Sequence, residues 1–522
     1  MTATPTAGPA AGAPIPGAGP GRLAEGVLRL PSVLFCIVTG AAPLAAMLFN
    51  VPVATLGAGY ASPAAFIVAT VALTIFSVGY IAMCRRVTSA GGFYTFVTRG
   101  LGRVAGLGSG LLIALCYIVF AAAVTGTMGY FASTTVASFT GVELPAWAYM
   151  IIGLALMSVF AVFHIELTAK ILGVLLIGEV LVLLVLAVGV FAAGGAEGFS
   201  LAPLNPVNIF GNSAAIEVFG AGAAGIALFA AFWSWVGFEM APNYAEETRD
   251  PHRIARTAIY GSVIGLGAFY VLISYVFVGG WGLTGSARAV QAQYAGEIAS
   301  AFYPLTDRFI GSWATALMQV LIVTGSFACA MAFYNTSARY LFALSREGVL
   351  PAALARTSNR RSPVPAAMTV TTLVGLYCLG FVLYDPSTEG ALLKLGTWSP
   401  LLGVLGILAV QALVSVAIIR FFLTTARDGF RWWSTLVAPV IGFAAMTGAC
   451  VLLVVNRYDL AGAADVTYIV VLPWVVLAVF VAGVVLALFL RSRAPQRYAR
   501  IGQFEVSTSE ISSAEERQVA TA

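Results

Sequence analysis

Apolar runs of 18 or more residues recur twelve times along this chain, and nothing else in it constrains the fold as strongly. A run of that length crosses a hydrocarbon core about 30 Å thick as one helix. The runs fall near 31–56, 62–84, 105–135, 145–163, 169–194, 218–244, 256–281, 311–342, 365–384, 391–422, 434–456 and 467–490. The expected fold class is therefore an all-α polytopic membrane protein with twelve transmembrane helices. Composition agrees: charged residues make up 9% of the chain, where a soluble domain carries about 25%. The runs at 105–135 and 311–342 are long enough to tilt or to protrude beyond the bilayer.

Charge follows the same alternation. With both termini placed in the cytoplasm, inner loops and tails hold 23 of the 27 Lys and Arg residues. Only Arg288, Arg308, Lys394 and Arg457 remain outside. Basic residues near spans are retained on the inner side, so this asymmetry sets the orientation and supports an even number of spans. The net charge of +5 is then a topological bias, and no nucleic-acid partner is expected. The six cysteines all lie in or at the ends of apolar runs without paired spacing, which reads as small buried hydrophobes. The two histidines, His164 and His252, sit at inner loop edges, so neither a metal set nor a catalytic triad can be assembled.

Two runs carry helix-breaking chemistry at mid-depth. In the first, Val38-Thr39-Gly40-Ala41-Ala42-Pro43 precedes an apolar continuation. Pro43 lacks an N–H, and its ring disfavours helical geometry at Ala42. In the sixth, Phe232-Trp-Ser-Trp-Val-Gly-Phe-Glu239 leads to Pro242. Glu239 is an ionisable side chain in hydrocarbon, which marks a substrate or ion pathway. Broken backbone at that depth is tolerated beside a cavity. Interrupted segments in corresponding positions point to a transport site, and half-helix N-termini there would favour an anion such as a carboxylate. The alternative is a proline kink in each of two ordinary helices.

Together these stretches resemble the amino acid–polyamine–organocation family of permeases. The matching pieces are the Gly/Pro break of the first span, the loop Ala90-Gly-Gly-Phe-Tyr94, and the Phe232–Glu239 stretch with its Glu246-Glu-Thr-Arg-Asp-Pro251 tail. Asn335-Thr-Ser-Ala-Arg339 and Arg346-Glu-Gly-Val-Leu-Pro351 complete the set, in the matching order. The resemblance implies a LeuT-type 5+5 inverted repeat plus two C-terminal helices, working by alternating access. Residues 1–25 would be a disordered cytoplasmic tail, 26–492 the transporter domain, and 493–522 a cytoplasmic C-terminal tail, loose from 503 onward.

Roles carried over from that resemblance give the candidate site. Substrate carboxylate would meet the backbone at Thr39, Gly40, Ala41 and Ala42, where the family's Gly-small-Gly run reads Gly-Ala-Ala. Substrate ammonium would meet the unwound stretch Trp233, Ser234, Val236 and Gly237, with Tyr117 lining the site and Trp233 covering it. Trp398, before Pro400, is a second candidate gate. Glu239 resembles a carboxylate linked to proton-dependent release. Glu179 lies in the fifth span, where proton-coupled relatives place a lysine, and is a candidate titrating or sodium-binding group or a structural carboxyl. Ser326, with Thr324, falls where sodium-coupled members supply hydroxyls.

The expected function is secondary-active transport of amino acids across the cytoplasmic membrane, by proton-coupled uptake or exchange. Two alternatives stand beside it: a polyamine or other organic amine permease of the same fold, and a membrane solute sensor that binds without transporting. An enzyme is excluded by the missing nucleophile–base set. No organic cofactor is expected, only H+ or Na+ as coupling ion. The expected partners are a small amino acid or amine and the lipid bilayer, with the chain as monomer or homodimer.

Overall fold

The computed structural model describes residues 30–87, 91–162, 165–211, 224–248, 251–358, 362–462 and 466–502. The first and last tails, Ala90 of the inner loop and both histidine side chains lie outside that description. Among the described residues there is no strand. The helices are α1 (Leu30–Ala41), α2 (Pro43–Ala58), α3 (Ser62–Cys84), α4 (Gly92–Leu101), α5 (Arg103–Thr140) and α6 (Ala146–Phe160). They continue with α7 (Ile165–Ala192), α8 (Ala224–Ser234), α9 (Pro251–Trp281), α10 (Gly285–Tyr294), α11 (Phe302–Phe309) and α12 (Ser312–Arg346). The last five of six residues or more are α13 (Val364–Tyr384), α14 (Gly396–Thr424), α15 (Ala438–Val455), α16 (Thr467–Arg493) and α17 (Pro495–Arg500).

Among the described residues, ten helical stretches are long and apolar enough to cross a membrane. One of them, Leu30–Cys84, runs 55 residues and contains the interruption at Ala42 and a short turn at Gly59–Ala61. α6, with 15 residues, spans only about 22 Å at 1.5 Å per residue and falls short of a full crossing. Outward faces remain apolar: Leu376, Leu383, Val451, Val455 and Trp474 are all exposed, a surface suited to lipid and not to water. The interior is built on α5 and α12, which pack along each other and receive α14, α16 and α7 around them.

The start of the C-terminal tail folds back onto this bundle. Ile501 is buried, and the Gly502 N–H donates to Glu347 Oε1 at 3.0 Å. The Tyr94 hydroxyl of α4 donates to the other carboxyl oxygen. Arg346 lies beside the carboxylate, Arg103 near Tyr94, and the Arg497 side chain covers Gly348. Burial pushes the Glu347 carboxyl up from 4.5 to about 7, against the lowering pull of Tyr94, Gly502 and Arg346. Undocking residues 495–502 returns the carboxyl toward its ordinary value. Docking is therefore favoured below the ordinary value and weakens as pH rises through about 7. Amide exchange at Ile501 and Gly502, corrected for intrinsic rate, is expected to report opening that rises by up to roughly tenfold per pH unit between 5 and 7. Glu347→Gln should flatten that profile; an unchanged profile would detach Glu347 from the docking.

Candidate functional site

The first interruption sits where the proline chemistry puts it. α1 ends at Ala41, Ala42 takes φ +39°, and α2 restarts at Pro43. Ala42 is the one non-glycine residue with positive φ among the described residues. A left-handed conformation costs an alanine roughly 1–2 kcal/mol, and this is the position where the Gly-small-Gly pattern has lost its second glycine. Ala42→Gly is accordingly expected to hold or raise the thermal unfolding temperature, measured in detergent, while Ala45→Gly inside α2 lowers it. α2 opens with N–H groups that have no acceptor within the helix. The carbonyls one turn back are engaged from other helices: Gly40 O accepts from Cys329 Sγ at 3.1 Å, and Ala41 O from the Tyr270 hydroxyl at 3.0 Å.

The second interruption follows α8. Trp235 N–H and Val236 N–H turn back to the carbonyls of Phe232 and Trp233, each at 3.2 Å, and Gly237 then takes φ +122°. From Phe238 to Glu247 the chain continues as a ten-residue 3-10 helix, an uncommon length for that geometry. Glu239 secures the turn. Its Oε2 accepts from the Gly237 N–H at 3.1 Å, its Oε1 from the Tyr117 hydroxyl at 2.6 Å, and its carbonyl from the Tyr80 hydroxyl at 2.9 Å.

The two interruptions touch, backbone against backbone. A Cβ added at Gly237 would stand 3.2 Å from the Gly40 carbonyl carbon and 3.3 Å from the Ala41 nitrogen. The Tyr270 hydroxyl of α9 lies 3.0 Å from Ser234 O as well as from Ala41 O, so one proton is shared between the two breaks. Beside this junction is a cavity of about 40 Å³, bordered by Gly40, Ala41 and Ala42, by Trp233 and Ser234, and by side chains of α2, α5 and α12. Sites for small organic ligands are usually of about 300–1,000 Å³, so this one is closed down around little more than solvent-sized space. Trp233 forms its aromatic wall, with the Phe120 ring at 4.6 Å and the Phe333 ring stacked at 5.9 Å.

Five of the sequence-derived candidates, Gly40, Ala41, Ala42, Trp233 and Ser234, border the cavity together. Thr39 is buried one residue before them, and Val236 and Gly237 form the turn behind Trp233. Tyr117 reaches Glu239 and stacks on Tyr340 at 5.6 Å, outside the cavity wall. The Glu179 carboxyl packs against Gly325 and faces the Leu44 backbone at the start of α2. Its Oε2 and the Ser326 hydroxyl are both buried without a hydrogen-bond partner. Thr324 spends its hydroxyl on Leu321 O of its own helix, at 3.1 Å. Trp398 does not itself border the cavity, though Gly396 two residues before it does: its Nε1 donates to Ala461 O, and its ring lies among Phe381, Tyr384 and Tyr468.

The amino acid permease family model matches residues 30–494, which takes in both interruptions and every element around them. The chain belongs to the amino acid permease family. It is a multi-pass membrane transporter by family, not an enzyme. Among its relatives is the branched-chain amino acid permease BcaP of Bacillus subtilis, 24% identical over 371 residues, covering 68% of this chain and 72% of that one. The methylthioribose transporter of Bacillus subtilis is 24% identical over 277 residues, 52% of each chain. The low-affinity putrescine importer PlaP of Escherichia coli is 23% identical over 350 residues, covering 64% of this chain and 70% of the importer.

Sequence reasoning missed Tyr270, Cys329, Tyr80 and Asn50. The first three are unremarkable residues in apolar spans and acquire meaning only through the broken backbone they reach. Asn50 did carry a signal, as an uncharged but strongly polar side chain in the middle of an apolar run.

Proposed function

We propose that this permease is a secondary-active amino acid transporter of the cytoplasmic membrane, alternating access around its two interrupted spans. The observation that carries the reading is the backbone contact of Gly40 with Gly237 beside a closed cavity. Two broken helices that touch can change their mutual angle at the break, opening the cavity to one side and then the other. In this reading the crossings number twelve. The Leu30–Cys84 stretch counts as two, α6 as a short one, and the other nine stretches as one each. Ten form the five-plus-five inverted repeat and two follow it, with residues 26–492 as the transport unit and both termini cytoplasmic. The substrate carboxylate takes the α2 N-terminus, where the helix dipole is positive. Its ammonium takes carbonyl oxygens at the end of α8. Glu179 is the coupling group, next to the α2 N-terminus and exchanging a proton during the cycle.

Similarity to a putrescine importer favours a second reading, with an organic amine as cargo. Uptake of radiolabelled amino acids and putrescine into proteoliposomes, with and without an imposed pH gradient, tests both. Accumulation of an amino acid driven by the gradient is the expected result. Saturable binding with no uptake of any solute would instead make the protein a sensor. Trp233→Leu should cut the uptake rate by about tenfold while leaving insertion intact, since it removes two ring contacts but keeps an apolar wall. Uptake at the wild-type rate would rule out a covering role for Trp233.

A further inference from the structure

Ser234 fixes the orientation of Asn50. The Ser234 hydroxyl gives its one proton to the Ala230 carbonyl at 2.9 Å, so toward Asn50 it can only accept. Asn50 therefore turns its amide nitrogen to Ser234, at 2.8 Å. That leaves Oδ1 facing away. The side chain is only 2% exposed, and Oδ1 has no hydrogen-bond partner. A buried carbonyl oxygen without a donor is unfavourable and rare, and calls for a specific explanation. Here the explanation is at hand, because Asn50 borders the cavity at the junction of the two breaks.

The remaining cavity polarity is spent within its own walls. Thr127 donates to Ala123 O at 3.2 Å, Ser234 to Ala230 O, and Cys329 to Gly40 O. Among the described residues no acidic or basic side chain borders the cavity. Glu239 has both oxygens engaged by Tyr117 and Gly237, and Glu179 packs against Gly325. The free side-chain capacity offered to a bound molecule is thus one neutral acceptor, beside the backbone of the two breaks, in an otherwise small and apolar enclosure. A diamine or a cationic side chain would enter without a counter-charge, which is strongly unfavourable in a desolvated site. A zwitterion brings its own counter-charge, with its carboxylate at the α2 N-terminus and its ammonium left to find acceptors.

We propose that Asn50 is a specificity-determining residue whose Oδ1 accepts a hydrogen bond from the transported molecule. The cavity on this account selects small zwitterionic amino acids with uncharged side chains over diamines and cationic amino acids. The inference rests on the transport reading given above. Its test is uptake by the full chain in proteoliposomes of alanine, serine, valine, lysine and putrescine, each radiolabelled. Wild type should take up the neutral set, and Asn50→Leu should weaken its apparent affinity by about tenfold or more. Ser234→Ala removes the group that orients the Asn50 amide and changes the cavity wall itself, so it should also weaken the neutral set, but by less than Asn50→Leu because Oδ1 remains. Asn50→Asp puts an anion in the same place and should add uptake of lysine or putrescine, which a merely bracing residue would not do. Thermal unfolding in detergent identifies any variant that fails to fold; should Asn50→Leu fail, the gain or absence of lysine and putrescine uptake in Asn50→Asp decides. Wild-type preference for putrescine or lysine overturns the proposal, as does wild-type affinity for the neutral set in folded Asn50→Leu. Both outcomes leave transport itself intact. Absence of uptake for the whole panel overturns the transport reading instead.

Discussion

Gly237→Ala is expected to reduce substrate binding to less than about a tenth of wild type. Two costs add. Gly237 holds φ +122°, a backbone conformation that a side chain makes strained by about 1–3 kcal/mol. The new Cβ would also stand 3.2 Å from the Gly40 carbonyl carbon, and backbone on both sides leaves no flexible atom to yield. Relief requires the two interrupted spans to move apart, which dismantles the cavity they border. Gly40 is more forgiving. A Cβ there meets the Met240 Sδ at 3.3 Å, the end of an adaptable side chain, so Gly40→Ala should retain binding. Gly40→Val, with two further branches against Met240 and Gly237, should lose it. Scintillation proximity binding, with size-exclusion profiles to check folding, gives the comparison. Wild-type affinity in folded Gly237→Ala would mean that the contact between the breaks is incidental to the site.

How much of this could be read in the sequence depends on the range of the interaction involved. The spans were legible because run length and apolarity are local properties, and the first break because Pro43 acts on its immediate neighbour. The left-handed residue was nearly legible: the loss of a glycine at Ala42 was visible, and the strain it leaves is what the structure adds. The second break was legible as a place but not as a geometry. Glu239 read as an isolated carboxylate in hydrocarbon, whereas in the folded chain Tyr117, 122 residues away in sequence, is its hydrogen-bond partner. The contact of Gly40 with Gly237 and the shared proton of Tyr270 likewise join residues about 200 apart, or more, and leave no local pattern. At Trp398 the local pattern fits two roles at once. A tryptophan ahead of a proline in an apolar run resembles a gate, yet the same residues equally suit an aromatic cluster between α13, α14 and α16.

The two carboxylates in the spans should respond differently to the same isosteric change. Glu179→Gln is expected to abolish accumulation driven by a pH gradient while preserving exchange of substrate across the membrane. Gln keeps the shape of the side chain but cannot take up or release a proton. Glu179 Oε2 is buried without a partner, and the hydrogen bond from the Leu44 backbone can pass to the Gln oxygen, so the exchange can keep the local hydrogen bonding. Gly325→Ala supplies an independent probe of the same position. Its Cβ would stand 2.5 Å from Glu179 Oε1, so it must displace the carboxyl and should lower accumulation as Glu179→Gln does. Glu239→Gln meets a different constraint. Both oxygens of Glu239 accept hydrogen bonds, from Tyr117 and from Gly237, and an amide can accept from only one of them. The Tyr117 hydroxyl can turn to accept from the new NH2, so the turn should survive with weaker anchoring. The expected result is exchange slowed by about tenfold and a changed pH dependence of substrate affinity, with accumulation reduced only in proportion. Gradient-driven uptake and counterflow, measured for wild type and the three variants with sodium present and absent, separate these cases. A sodium requirement in wild type would make Glu179 an ion ligand and not a proton carrier. Accumulation that persists at wild-type level in Glu179→Gln and Gly325→Ala would remove this position from coupling.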